Sequence, residues 1–168
     1  MEAMDFKSII AVETALEAGR TERIFNVLPD NHKDYRPHDK SMTLKELAEH
    51  VAELQTWFNN ALRNSSYDFK NDNQELLYSS FKELGSLVNE SVQHNLDFIK
   101  STDDDFWNQE FTFKVGDHVV MTVPRWVAYR QMLSNHLIHH RGQLTTYLRA
   151  LNIPVPGIFG PSADEKNG

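Results

Sequence analysis

Cysteine is absent from the 168-residue chain. This excludes disulfides, thiolate zinc sites, iron–sulfur clusters and cysteine nucleophiles, so any metal must sit on nitrogen and oxygen ligands. It also fits a reducing compartment. Cations are outnumbered: 17 Lys plus Arg against 24 Asp plus Glu give a formal net charge of −7. Nucleic-acid backbones are held by clustered positive charge, and neither a cluster nor a basic tail is present. No run approaches the ~20 apolar residues of a membrane-spanning helix. Met1 to Ile10 mixes acids with apolar residues, unlike a signal peptide. The expectation is a soluble, cytoplasmic protein with no nucleic-acid and no membrane partner. Internal repeats, a P-loop, a dinucleotide fingerprint and a nucleophile elbow are also missing.

What the chain does hold is core: 40% of residues are hydrophobic, among them ten Phe, five Tyr and three Trp. That suffices for one domain over 1–168. Apolar residues from Phe6 to Leu28 recur at helical spacing and predict a first helix from about Met4 to Leu28, closed by Pro29-Asp30-Asn31. An irregular connection reaches Lys40. Thr43 with Glu46 three residues later predicts a capping box opening a second helix, to about Leu62. After a polar break from Asn64 to Asn73, Leu76 through Ile99 predict a third helix, ending near Lys100. Thr102 to Asp105 reads as a solvated turn. Alternation at Phe111, Phe113 and Val115, then at Val119, Met121 and Val123, predicts a β-hairpin with Gly116-Asp117 at its tip. Pro124 is placed to be the first-turn proline of a fourth long helix running to about Leu151, where Asn152 and Pro154 stop it. Residues 155–168 read as a tail that can lie on the helices without regular structure. The sum is an all-α four-helix bundle with a short hairpin inserted before the last long helix.

Of eight histidines, three fall in Asn135-His136-Leu137-Ile138-His139-His140-Arg141-Gly142-Gln143. His136 and His140, four apart, project within about 40° of each other and can reach one ion, whereas His139 points away and suits a surface or supporting role. His140 borders the apolar arc of its helix. His50 shares a face with Leu47, Leu54, Trp57 and Ala61, so it too points inward. An i, i+4 pair also occurs as an ordinary core or surface pair, and a lone inward histidine as a hydrogen-bonded core residue. Occurring together on two inward faces, they make a candidate catalytic metal site with three imidazoles and open positions. Arg141 and Gln143 are candidates to brace the histidines, although a helical Arg is ordinarily at the surface. Tyr35, Trp57, Trp126 and Tyr129 suit either pocket walls or plain core. Glu46, Glu49 and Glu53 read as a solvated helix face, and Asp103-Asp104-Asp105 as a loop that ends a helix.

Three segments carry a resemblance: Tyr35-Arg36-Pro37-His38-Asp39-Lys40-Ser41-Met42-Thr43-Leu44 leading into His50; His136 through His140 followed by Arg141-Gly142-Gln143-Leu144; and Pro154-Val155-Pro156-Gly157-Ile158-Phe159-Gly160-Pro161-Ser162. In this order they resemble the DinB family of metal-binding four-helix bundles, DinB/YfiT-like, over nearly the whole chain. The resemblance implies an up-up-down-down bundle in which His50, His136 and His140 bind one divalent ion, Zn²⁺ or Ni²⁺, with water completing the shell. It also implies a homodimer. Relatives with assigned chemistry include thiol S-transferases using bacillithiol or similar thiols, and a mycothiol-dependent maleylpyruvate isomerase. The expected function is therefore metal-dependent transfer of a low-molecular-weight thiol, or metal-assisted hydrolysis, on a small-molecule substrate. No residue is singled out as catalytic. The alternative is a non-catalytic metal-binding stress or interaction protein.

Overall fold

The Asp5 side chain opens the first helix by accepting from the Ser8 N–H at 2.9 Å, and α1 runs Phe6–Phe25. The computed structural model describes residues 5–165, with the backbone alone for 57–60. Met4 and the Trp57 side chain, both used above, lie outside the described residues. One turn of 3₁₀ helix, Asp30–His32, interrupts the connection to α2, Leu44–Ala61. Both arms of the expected capping box form: Glu46 N–H donates to Thr43 Oγ1 at 3.1 Å, and Thr43 N–H donates to Glu46 Oε2 at 2.7 Å. The Thr43 N–H and, at 3.0 Å, the Thr43 hydroxyl both donate to Glu46 Oε2 and hold that carboxyl below the usual carboxylate range.

The polar break contains a strand that periodicity misses. β1, Ser66–Asp68, pairs in parallel with β2, Glu110–Val115, and β2 pairs antiparallel with β3, His118–Pro124. The predicted hairpin is thus the larger part of a three-stranded sheet. Asp68 reads as a loop residue, yet its carboxylate is buried and accepts from Gly116 N–H at 2.8 Å, Lys70 N–H at 3.1 Å and Asn71 Nδ2 at 2.6 Å. Those bonds pin the hairpin tip to β1. Gly116 turns there with φ +60°, a conformation that disfavours a Cβ.

The third helix, α3, is Phe81–Lys100, about a turn shorter than expected. Ser80 Oγ accepts from Glu83 N–H at 3.1 Å, and Glu83 Oε2 accepts from Ser79 N–H at 2.7 Å. These caps set the start, so Leu76 and Leu77 stay outside, with Leu77 80% exposed. The solvated turn is a second correction. Asp103 accepts from Phe106 N–H at 2.8 Å and starts α4, Asp104–Asn108, which buries Trp107. Pro124 precedes the last helix as its cap, not as its first residue. That helix is continuous but not uniform: α5, Arg125–Ala128, passes through a π-helical segment, Tyr129–Ser134, into α6, Asn135–Ala150. Asn135 N–H reaches back five residues to Arg130 O.

The protein is mostly helical with this small sheet at the side. α3 packs on α1 and α2, while α6 packs chiefly on α2 and also on α1. One buried apolar cluster runs from Ile10 and Phe25 through Leu47, Val51 and Phe81 to Leu144 and Leu148. No helix among the described residues is long and apolar enough to cross a membrane. Asn152, at φ +57°, ends α6. The expected tail then lies against the helices: Val155 is buried, its N–H donates to Asp164 Oδ2 at 2.8 Å, and Arg23 donates to Gly157 O at 3.0 Å.

Thr43→Ala removes a side-chain acceptor and one arm of the box, and should lower unfolding free energy by about 1 kcal/mol. Denaturant titration checks this. Thr43→Ser, which keeps the hydroxyl, should restore most of the loss.

Candidate metal centre

Leu47, Val51 and Leu54 fasten α2 to the core and leave His50 on the same side, half-buried. Leu137, Leu144 and Leu148 do the same for α6, turning His136 and His140 toward α2. The three imidazoles meet. His136 Nε2 lies 3.3 Å from His50 Nε2 and 2.8 Å from His140 Nε2. Ring centroids stand 4.9 Å apart for His50 and His136, 4.7 Å for His50 and His140, and 4.6 Å for His136 and His140. One nitrogen from each lies within 4.8 Å of the others, the spacing of groups able to hold a metal ion.

The outer nitrogens decide what the inner ones present. His136 Nδ1 is 3.3 Å from Met132 O, and His140 Nδ1 is 2.7 Å from Gln143 Oε1. His50 Nδ1 stands 3.6 Å from the Glu53 carboxylate. All three neighbours are acceptors, an arrangement that favours the proton on Nδ1 and turns the Nε2 lone pair inward. Three lone pairs at such distances repel one another until a cation or a proton comes between them. Burial pushes the His136 ring below the ordinary histidine range, and the nearby His50 adds to it. Burial pushes His140 down to about 4; His50 and His136 act in the same direction, and Gln143 in the opposite one. A proton is therefore a poor occupant at neutral pH, and neutral rings are what a metal requires.

Around the trio the sequence reading holds in part. Gln143 braces His140 as expected, and His139 is exposed. Arg141 is not at the surface. It is 1% exposed and salt-bridged to Glu17, and it donates to Glu17 O at 3.1 Å and Thr21 Oγ1 at 3.2 Å. It fastens α6 to α1 and so orients its neighbour His140. The carboxylates of α2 do not form one solvated face: Glu46 caps, Glu49 accepts from Tyr78 OH at 2.9 Å, and Glu53 stands beside His50. Glu53 is three residues after His50, a spacing that places two side chains together on a helix, and that was the available signal. Tyr35 packs edge-on against Tyr147, Tyr129 against Trp107 and Trp126 against Phe6.

The model of the DinB family matches residues 10–166, and the chain belongs to that family. Solved structures share the fold. A DinB-like protein from Bacillus cereus superposes with a TM-score of 0.71 at 17% identity, over 92% of this chain and 98% of that one. A DinB-like protein from Bacillus subtilis gives 0.66 at 18% identity, over 95% and 99%. A DinB family member from Exiguobacterium sibiricum gives 0.62 at 18% identity, over 89% and 93%. By sequence, 33 residues are 48% identical to "Uncharacterized protein YrdA" of Bacillus subtilis, which is 20% of this chain and 20% of that protein. The chain thus matches about a fifth of that curated relative's length.

Unfolded histidine takes up its proton near 6.5, while folded His140 resists until about 4. Between those values the unfolded chain binds more protons. The contribution to stability is therefore complete above the upper value and lost as pH falls through the lower one. Melting temperatures in chelator across that window should fall more steeply for the wild type than for His140→Gln. Equal slopes would contradict the assignment.

Proposed function

We propose that residues 1–168 act as one DinB domain and that His50, His136 and His140 hold a single divalent ion, Zn²⁺ or Ni²⁺. The reaction would be metal-dependent transfer of a low-molecular-weight thiol such as bacillithiol, or hydrolysis, on a small-molecule substrate in the cytoplasm. The observation that carries this reading is the convergence of three Nε2 atoms whose outer nitrogens all face acceptors. An ion held by three neutral imidazoles keeps open positions and lowers the pKa of a water or thiol that it binds, making a nucleophile near neutral pH. With no cysteine in the chain, a thiol nucleophile has to come from a diffusible molecule. The protein's own part is to aim the rings. Met132 O and Gln143 hold the rings of α6, Glu53 stands behind His50, and Arg141 buried against Glu17 stops α6 from turning.

The up-up-down-down order of the helices belongs to the same proposal, supported by α3 packing against both α1 and α2. So does a homodimer. Ile9, Val12 and Leu16 are exposed at 43%, 57% and 54% and form one stripe along α1, which a two-fold axis would bury against its copy. Val12→Glu should shift the molar mass in light scattering from dimer to monomer.

Metal analysis of protein purified without an affinity tag should find about one ion per chain, as a three-imidazole site implies. His50→Ala and His136→Ala should lose it, and full occupancy in both would reject the ligand set. Glu53→Gln should weaken metal affinity about tenfold, the usual scale for a group that orients a ligand. Thiol-transfer and hydrolysis assays on the loaded protein complete the test. A chain whose melting temperature falls on chelation, with no turnover of any substrate, has a non-catalytic metal role instead.

A further inference from the structure

Away from the histidines, Phe6 of α1, Trp107 of α4 and Trp126 of α5 line a half-open cavity of about 350 Å³, completed by Asp104 and Asn108. Trp126 and His136 are ten residues apart on one continuous helix. That sets them more than two turns apart along its axis. Phe6 stands edge-on to both indoles, with centroids 6.1 Å away and interplanar angles of 72° to Trp107 and 78° to Trp126. Rings at near right angles give a cavity walls of differing orientation, as in the aromatic boxes that bind alkylated ammonium groups.

The walls are not all needed by the core. Trp107 is 1% exposed and its indole N–H is satisfied by Thr102 Oγ1 at 2.9 Å, so it backs the cavity and leaves the open ring surfaces to Phe6 and Trp126. Trp126 is different: 41% of it faces solvent, although a smaller side chain there would leave the buried cluster intact. Of the residues that line the cavity, Asp104 carries the charge. Asp104 is exposed, its backbone carbonyl accepts from Asn108, and its carboxylate has no ion pair among the described residues. The neighbouring cations are committed elsewhere. Lys7 Nζ donates to Thr102 O at 3.3 Å, and the buried Arg125 guanidinium donates to Leu62 O, Asn64 O, Phe106 O and Gln109 Oε1.

We propose that this cavity binds a small soluble molecule carrying a compact alkylated ammonium group, of the size of choline. Its methyl groups lie against Phe6 and Trp126, its spread charge meets the π surface these two leave open, and Asp104 supplies the counter-charge. A primary ammonium is more strongly hydrated and gains less from apolar walls. An anion meets Asp104, and a neutral alkyl group forgoes both electrostatic contacts. The volume is at the lower end of small-molecule sites, which suits a ligand with few heavy atoms. This proposal is independent of the metal reading.

Calorimetric titration of the full chain with choline, and with the neutral tert-butyl analogue in which carbon replaces nitrogen, is the test. Choline should bind at least about fivefold more tightly than the analogue, the scale of a partly desolvated cation–π contact. Trp126→Leu and Asp104→Asn should each weaken choline binding by a similar factor, with melting temperature and metal content unchanged. Equal affinity for choline and the analogue, undiminished binding by Asp104→Asn, or no heat at millimolar choline would each overturn the proposal. Co-sedimentation with phosphatidylcholine vesicles, which it does not predict, would assign the cavity to a lipid headgroup and overturn it as well.

Discussion

Three imidazole lone pairs aimed at one another are the feature on which the rest of the structure turns. His136 Nε2 sits 2.8 Å and 3.3 Å from its two counterparts, and the outer nitrogens face a carbonyl, an amide oxygen and a carboxylate. Without a cation this arrangement costs free energy: the lone pairs repel, and burial disfavours the proton that would relieve them. A fold keeps such strain only where its surroundings over-determine it. Here they do, because each ring is carried by a helix tied down at several other points.

The ties differ in kind. α2 is set at its start by the reciprocal bonds of Thr43 and Glu46, and along its length by Leu47, Val51 and Leu54. α6 is held against α1 by Arg141, whose guanidinium is withdrawn from water and balanced by Glu17 and Thr21. A buried ion pair contributes little net stability compared with apolar packing, but it has a directionality that leucine lacks. That directionality fixes the rotation of the helix next to His140. The π-helical turn at Tyr129–Ser134 has a related consequence. It ends two residues before His136, and the Met132 carbonyl within it accepts from that ring. Such turns recur where a helix has to present side chains for binding.

Much of this was legible in the order of residues, because much of it is local. The capping box, the Gly116 turn and the shared face of His136 and His140 depend on neighbours within four positions. The inward setting of His50 followed from the apolar stripe around it. What escaped depends on distant pairing. Ser66–Asp68 becomes a strand only because β2 arrives beside it, and Asp68 is spent on the Gly116 N–H, 48 residues away. Arg141 looks like a surface residue until Glu17, 124 residues earlier, is packed against it. The start of α3 was a contest between apolar period and hydrogen-bond caps, and the caps of Ser79 and Ser80 won over Leu76 and Leu77.

The most direct measurement is an anomalous difference map from crystals of untagged protein, collected on both sides of the zinc and nickel absorption edges. The account predicts one peak at about 2.0–2.1 Å from three imidazole nitrogens, those of His50, His136 and His140. A map without that peak, in which the rings have swung apart and each inner nitrogen bonds a separate partner, would contradict it.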